Sequence, residues 1–399
     1  MQHIAIIGAG QAGASAAEAL RSAGFEGRVT LWGAEVEPPY QRPPLSKAYL
    51  MGEMARERLW LRPPAFWEEK GVELRLGTPV EALDPADRLL RHAGGVEFWD
   101  AAILATGSAP NRLPERVTEG RDGVHVIRTL SDIDALAPEM VAGRRMLVVG
   151  GGYIGLEAAA VARKIGLEVV LVEMGLRLLG RVASAETADW FRALHRGHGV
   201  DIREGVGLER LTGAGRVTGA VLSDGSRLDV DLVLAGIGAH PVTDLAEAAG
   251  IACDGGVVVD ALGRTGVEGV WAAGDCAAFP HGGTRVRLES VPHAIEHGEA
   301  VARNVLGAGA PYVAKPWFWS DQYDVKLQIA GLNAGFDRIV ARDEVGRSHW
   351  YYAGGRLIAV DAMNDPRAYM VGKRLIEAGR SPDPARVADA AVPAKALMA

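Results

Sequence analysis

Two glycine-rich hexads set the chemistry open to this chain. Gly8-Ala9-Gly10-Gln11-Ala12-Gly13 and Gly150-Gly151-Gly152-Tyr153-Ile154-Gly155 both read G-x-G-x-x-G. Such a loop suits a pyrophosphate: glycine permits the tight turn and lets the diphosphate approach the backbone, and the helix that follows offers unpaired N–H groups and a partial positive charge. One bare match is weak, because glycine-rich turns also arise from packing. Two copies, each set between an apolar run and a helical segment, predict two dinucleotide sites. Gly8, Gly10, Ala12 and Gly13 would form the first, and Gly150, Gly152, Tyr153, Ile154 and Gly155 the second.

A carboxylate about twenty residues after each loop should receive the ribose hydroxyls. Glu173 closes the apolar run Val169-Val170-Leu171-Val172 and would repel the extra phosphate of NADP, so NADH is the expected nucleotide there. Arg177, close by, reads as a solvated surface arginine. After the first loop the nearest carboxylate is Glu35, slightly late for the same task.

The elements that must hold these loops repeat one grammar. Ile4–Ile7 reads as a buried strand, Ala14–Ala23 as an alanine-rich helix and Arg28–Trp32 as a second strand. Met146–Val149, Leu156–Ile165 and Glu168–Glu173 repeat that order. Small-residue turns at Ala105-Thr106-Gly107 and Gly236-Ile237-Gly238 read as crossovers between domains. From Pro311 the pattern shifts to aromatic and alternating stretches, which predicts a smaller α+β domain. The proline- and alanine-rich end, with Pro382, Pro384 and Pro393, predicts a loosely packed tail. The fold class is therefore α/β: two Rossmann-like dinucleotide-binding domains plus a C-terminal α+β domain. The expected domains are 1–108 with 236–312, 109–235, and 313–399.

Composition narrows the function classes. At 399 residues the chain exceeds one hydrophobic core, and 48% apolar residues place it among globular proteins. A net charge of −7 argues against a nucleic-acid partner. Cys253 and Cys276 are the two cysteines, too far apart for C-x-x-C or a zinc knuckle, and they suit a reducing cytoplasm. No run approaches about 18 apolar residues, so no membrane anchor is expected.

The segment Pro39-Tyr40-Gln41-Arg42-Pro43-Pro44-Leu45-Ser46-Lys47 lies outside any generic dinucleotide fold. Together with both loops, Ala105-Thr106-Gly107, Gly269–Asp275, Glu289–Ala294 and Trp319-Ser320-Asp321-Gln322, it resembles the FAD-dependent ferredoxin reductases, glutathione-reductase-like flavoproteins that serve bacterial haem monooxygenases and ring-hydroxylating dioxygenases. The resemblance covers nearly the whole chain. It implies FAD held by the first loop with Glu35, Arg42, Lys47, Ala105, Thr106, Gly107, Gly274, Asp275, Val291, Pro292, Ala294 and Trp319. It implies NADH held by the second loop with Glu157, Glu173 and Gly238. Lys47 beside the flavin, Glu157 beside the nicotinamide and Trp319 over the flavin are the residues it brings nearest the chemistry, although for Glu157 a plain helix-surface position stays open, and for Trp319 simple core packing. For His293 a packing role is the simpler reading.

The implied activity is NADH-dependent reduction of a two-iron two-sulfur ferredoxin, with hydride in and single electrons out. Positions 40–47 hold no cysteine, which disfavours the thiol chemistry that relatives of this fold perform there. Two other readings stay open on residues alone: an NADH oxidase or quinone reductase, and a slow NADH-sensing binding protein. The partner implied is a transient, electrostatically docked ferredoxin, with Arg62, Arg303, Lys315, Lys373 and Arg374 as docking candidates, and the chain itself is expected to be a monomer.

Overall fold

The computed structural model describes residues 1–398. Along the chain its main elements are β1 (His3–Ile7), α1 (Gln11–Ser22), β2 (Arg28–Trp32), β3 (Val72–Arg75), β4 (Ala101–Leu104), β5 (Val124–His125), β6 (Arg145–Val149), α2 (Tyr153–Ile165), β7 (Glu168–Glu173), α3 (Ala185–Gly197), β8 (Asp201–Glu204) and β9 (Leu232–Ala235). They continue with β10 (Val270–Ala272), α4 (Val291–Val305), β11 (Trp317–Gln322), β12 (Val325–Gly331), β13 (Arg338–Asp343), β14 (Arg347–Ala353), β15 (Arg356–Met363), α5 (Pro366–Glu377) and α6 (Pro384–Ala388). The chain packs as two compact units. The first takes Met1–Arg42, Ala55–Ala109 and Ala239–Pro316; the second takes Pro43–Met54, Pro110–Gly238 and the chain from Trp317 onward.

The first unit is built on a parallel sheet of order β10-β4-β1-β2-β3. Successive side chains of β1 point to opposite faces, and both faces are covered. Ile4 and Ile6 pack with Ala14, Ala17 and Val301 on one side, Ala5 and Ile7 with Trp99 and Val270 on the other. That is why the strand reads as an unbroken apolar run and not as an alternation. Helices α1 and α4 approach closely: a Cβ on Gly298 would stand 2.4 Å from the carbonyl oxygen of Ala12.

The second unit repeats the parallel arrangement as β8-β7-β6-β9-β5. Both repeats have the strands the sequence predicts, but α1 and α2 begin three residues earlier than predicted, at Gln11 and Tyr153. The last glycine of each hexad lies inside the helix, where a Cβ at Gly13 or Gly155 would sit 2.0 or 2.2 Å from the carbonyl oxygen of Gly8 or Gly150, so no larger residue fits. The unit also contains the antiparallel sheet β11-β12-β15-β14-β13, whose Trp350 and Val360 are covered by Tyr369 and Leu375 of α5.

One buried carboxylate ties that sheet to α3. Asp361 of β15 is fully buried, and its Oδ2 accepts the hydroxyls of Thr187, at 2.8 Å, and Tyr351. Burial raises its pKa to about 6 despite both donors. Since the folded-state value stands above the ordinary 3.8, folding favours the protonated form, and stability should fall as pH rises from about 4 to about 6 and level off above. An Asp361→Asn variant, measured by urea unfolding across that window, is expected to lose this slope, on the order of 2–3 kcal/mol. An unchanged slope would assign the pH dependence to other groups.

The predicted loose tail is corrected by the structure. Val387, Ala394 and Leu397 are buried, and the Arg342 side chain, itself 0% exposed, holds the tail's backbone. Its guanidinium donates to the carbonyls of Val387 and Asp389, both at 2.9 Å, to that of Val392 at 2.5 Å and to Glu344 at 2.6 Å. The prolines there start α6 and end loops; the apolar residues between them supply the packing that composition alone did not reveal.

Candidate functional site

Each unit presents one loop. In the first, Gly8 turns the chain at φ +121°, and a Cβ there would stand 2.0 Å from the carbonyl oxygen of Ala105. Only glycine allows that approach, which sets the Ala105-Thr106-Gly107 turn against the loop. Thr106 donates to the carbonyl of Val242 at 2.6 Å, and the Gly107 carbonyl accepts from Val242 N. Gly10 faces open space, and the first turn of α1 carries neither a side-chain cap nor an acid. Gly274 comes against Ala12 and Ala294, and Asp275 accepts from Ser108 at 3.3 Å. Val291 and Pro292 open α4, which Ser290 caps through the N–H of His293.

Glu35 and Arg42 meet directly: Arg42 donates to Glu35 at 2.6 Å and to Tyr40 at 2.9 Å, and Tyr40 donates to the other Glu35 oxygen at 2.6 Å. Burial opposes the Arg42 charge, but Tyr40, Glu35 and the field of Asp275 outweigh it and raise its pKa. Matching the two repeats explains the late position of Glu35. Gly8 N bonds the Trp32 carbonyl and Gly150 N that of Val172, so the place of Glu173 belongs to Gly33 in the first unit. A Cβ at Gly33 would lie 2.9 Å from that of Ala9, so the acid stands two residues further on. An uncapped α1, open space at Gly10 and the ion-paired Arg42 suit a diphosphate, and Asp275 offers an acceptor for hydroxyls.

His293 is a packing histidine. It stacks on Phe279 with ring centroids 5.0 Å apart, its Nδ1 meets the Tyr312 hydroxyl at 3.0 Å, and burial lowers its pKa to about 4. Cys276 is fully buried, with its thiol pKa pushed up by burial, so it is not an activated nucleophile.

In the second unit Gly150 repeats the turn at φ +105°, with a would-be Cβ 2.4 Å from the carbonyl oxygen of Gly236. Gly152 faces open space at the uncapped start of α2. Glu173 accepts from Gly151 N at 2.7 Å and Gly175 N at 2.6 Å, which fixes its carboxylate beside the loop. The Gly238 carbonyl accepts from Asn111 N at 2.9 Å, and Arg181 lies close to this glycine. Ile154 is exposed, whereas the Tyr153 ring packs 4.8 Å from that of Phe318. Arg177 clamps its own loop through the Ala183 carbonyl at 2.7 Å.

Glu157 is not on the helix surface. It is 3% exposed, and both oxygens are used. Oε2 pairs with Lys47 Nζ at 2.6 Å and accepts from Ser46 at 2.6 Å; Oε1 accepts from Ser320 at 2.7 Å. Strand alternation in β11 sends Phe318 to Tyr153, Ser320 to Glu157 and Gln322 to His195. Trp319 therefore projects from the other face of β11, beside Trp317 at 5.6 Å, away from the pair that the structure joins. Ser46, Ser320, Gln322 and His195 were not among the sequence candidates. The first three lie in motifs already singled out, and a period-of-two reading of Trp317–Gln322 would have raised Ser320 and Gln322; nothing in the sequence marks His195.

Of the basic candidates for docking, Arg62 pairs with Glu18 at 3.2 Å, Arg303 with Glu299 at 2.8 Å and Lys373 with Glu377 at 3.4 Å, while Lys315 and Arg374 are exposed. Among the described residues no helix is long and apolar enough to cross a membrane.

Comparison with known proteins adds relatives to this geometry. Residues 2–298 match the profile described as pyridine nucleotide-disulphide oxidoreductase, and residues 317–398 the one described as reductase C-terminal. A ferredoxin–NAD(P)+ reductase of Sphingomonas is 43% identical, across 94% of this chain and 92% of its own. The ferredoxin reductase subunit of a 5,5′-dehydrodivanillate O-demethylase from Sphingobium is 42% identical, across 99% and 98%. The solved covalent complex of putidaredoxin reductase with putidaredoxin contains a chain 36% identical, covering 100% of this one and 98% of that one, with a TM-score of 0.95.

Proposed function

The chain belongs to the pyridine nucleotide-disulphide oxidoreductase family, and from that premise we propose that it is an FAD-dependent NADH:ferredoxin reductase serving an oxygenase. Bound FAD would accept the hydride of NADH and give up its electrons singly to a two-iron two-sulfur ferredoxin. The observation that carries this reading is that one chain holds two open glycine loops and a buried Glu157 ion-paired to a half-buried Lys47, with no thiol in segment 40–47. The relatives that bear a ferredoxin reductase name support the acceptor, as does the solved complex with putidaredoxin.

The roles follow from the geometry. In the first unit, the α1 N–H groups and Arg42 would hold the FAD diphosphate, with Asp275 on its hydroxyls; Ala12, Gly274 and Ala294 keep that side small. In the second, the α2 N–H groups would hold the NADH pyrophosphate, while Glu173 takes the adenosine ribose hydroxyls and repels a 2′-phosphate. Glu157, held rigid by its partners, would orient the nicotinamide, and Lys47 would lend positive charge where negative charge develops. No protein acid or base is needed for hydride transfer. Functionally we divide the chain into 1–108 with 236–312 for FAD, 109–235 for NADH, and 313–399 as the C-terminal domain. It works as a monomer with transient docking, in the cytoplasm, where both free thiols and the NADH supply suit it.

Anaerobic stopped-flow mixing of the FAD-loaded protein with NADH, with NADPH, and then with an oxidised two-iron ferredoxin tests the proposal. Fast reduction by NADH, at least about tenfold slower reduction by equal NADPH, and fast reoxidation by ferredoxin are expected. Reduction without ferredoxin-driven reoxidation would overturn the acceptor assignment, and equal use of both nucleotides would overturn the role of Glu173.

A further inference from the structure

The Glu157 carboxylate is the end of a buried chain of hydrogen bonds whose polarity it fixes. As the partner of the Lys47 ammonium it can only accept, so the Ser320 hydroxyl spends its one hydrogen on Oε1, at 2.7 Å. Ser320 Oγ must then accept from its other neighbour, Gln322 Nε2, at 3.1 Å. That turns the Gln322 carbonyl towards His195, whose Nε2 lies 2.7 Å away and must carry the hydrogen. His195 Nδ1 is left as an acceptor, and it faces the Tyr323 hydroxyl at 3.2 Å. Every donor points the same way, from Tyr323 through His195, Gln322 and Ser320 to Glu157. His195, Gln322 and Ser320 are each 0% exposed, so no solvent competes for the bonds among these three.

Two further features show that the chain is held in place. Tyr323 adopts φ +56°, a left-handed backbone that costs a bulky residue of order a kilocalorie and persists only where surrounding contacts impose it. Its ring stacks on His198, centroids 3.7 Å apart and 12° from parallel, which aims the hydroxyl at His195. Burial lowers the His195 pKa to about 4, so Nδ1 stays unprotonated, as acceptance from Tyr323 requires.

We infer that His195, acting through Gln322 and Ser320, is a positioning residue for Glu157: the chain locks one carboxylate oxygen on the C-terminal sheet and leaves the other to Lys47 and Ser46, setting the plane in which Glu157 meets the nicotinamide. The inference rests on the reading of Glu157 given under Proposed function. A chain that passes through an amide cannot relay protons by simple hopping, so its work is orientation. Helix α3 and strand β11, neither of which supplies a glycine loop, thereby contribute to hydride transfer.

The test joins spectroscopy to kinetics on the full-length, FAD-loaded protein. With 15N-labelled histidine, the His195 signals, assigned by their loss in His195→Leu, are expected to report hydrogen on Nε2 and a bare Nδ1 at pH 7. In anaerobic reduction by NADH, Ser320→Ala is expected to lower the limiting rate about 5- to 10-fold, in line with the loss of a hydrogen bond to the carboxylate itself, and His195→Leu about 3-fold, in line with the loss of a neutral one remote from it. His195→Gln, which can keep a donor towards Gln322, should recover the wild-type rate. A packing role alone would change the melting temperature and flavin content, not the limiting rate per bound flavin. The Nδ1–H tautomer, or an unchanged limiting rate in His195→Leu, would overturn the inference. Glu157→Gln separates it from its premise: if that variant reduces at the wild-type rate, the nicotinamide reading fails; if it is slow while His195→Leu is not, only the positioning inference fails.

Discussion

Replacing Gly152 by aspartate is expected to leave the fold and the flavin in place and to raise the NADH concentration that half-saturates reduction by about 100-fold or more, equivalent to about 2.7 kcal/mol. The position allows a clean substitution. Its φ of −80° is ordinary for any residue, and a Cβ there meets nothing within 4 Å. Gly150 and Gly155 offer no such choice, since their Cβ atoms would strike backbone oxygens at 2.4 and 2.2 Å. Aspartate at this N-cap would take the free N–H groups of α2 for itself, adding a few tenths of a kilocalorie to stability while removing the donors that a pyrophosphate needs and placing a like charge in its way. The checks are a thermal melt, the flavin absorbance and an anaerobic NADH titration. A variant that folds, keeps its flavin and binds NADH as before would mean that the second loop is not the pyrophosphate site.

Replacing Arg342 by leucine is expected to cost about 3–5 kcal/mol of stability. The guanidinium is fully buried and serves four acceptors, three of them carbonyls of the tail and the fourth the Glu344 carboxylate. Leucine would fill part of the space and leave those acceptors without donors, and an unsatisfied buried acceptor costs more than a made hydrogen bond contributes. The melting temperature should fall, and limited proteolysis should cut between Pro384 and Leu397 in the variant well before it cuts the wild type. A melt unchanged from wild type, with the tail still protected, would show that apolar packing of Val387, Ala394 and Leu397 holds the tail without the arginine.

What the sequence made legible was whatever depends on neighbours along the chain. β2 and β7 stand where their apolar runs predict, because a doubly covered parallel strand needs only a short unbroken stretch and a turn at each end. The position of Glu35 was harder, since it depends on Gly33 fitting against Ala9 across two strands. The surroundings of Glu157 were not legible at all. Its partners Lys47 and Ser320 lie 110 and 163 positions away in sequence, and helical periodicity cannot distinguish a buried, ion-paired glutamate from a solvated one. The tail misled for the opposite reason: alanine and proline imply looseness by composition, whereas the decisive residue, Arg342, sits 45 positions upstream of Val387.

The division of the chain between its units governs how the protein can be made. The first unit has β1 to β4 within Met1–Ala109, yet its edge strand β10 and the helix α4 that covers α1 come more than 150 residues later. The second needs Pro43–Met54 from near the start and β11 to β15 from the far end. A chain emerging from the ribosome thus carries an uncovered α1 and an unpaired edge of β4 until Val291–Val305 has been synthesised, and Lys47 waits for Ser320 before the cluster around Glu157 can close. Neither unit can close during translation before its distant segments are made, so separate expression of the two halves is expected to leave apolar surface uncovered and to favour aggregation.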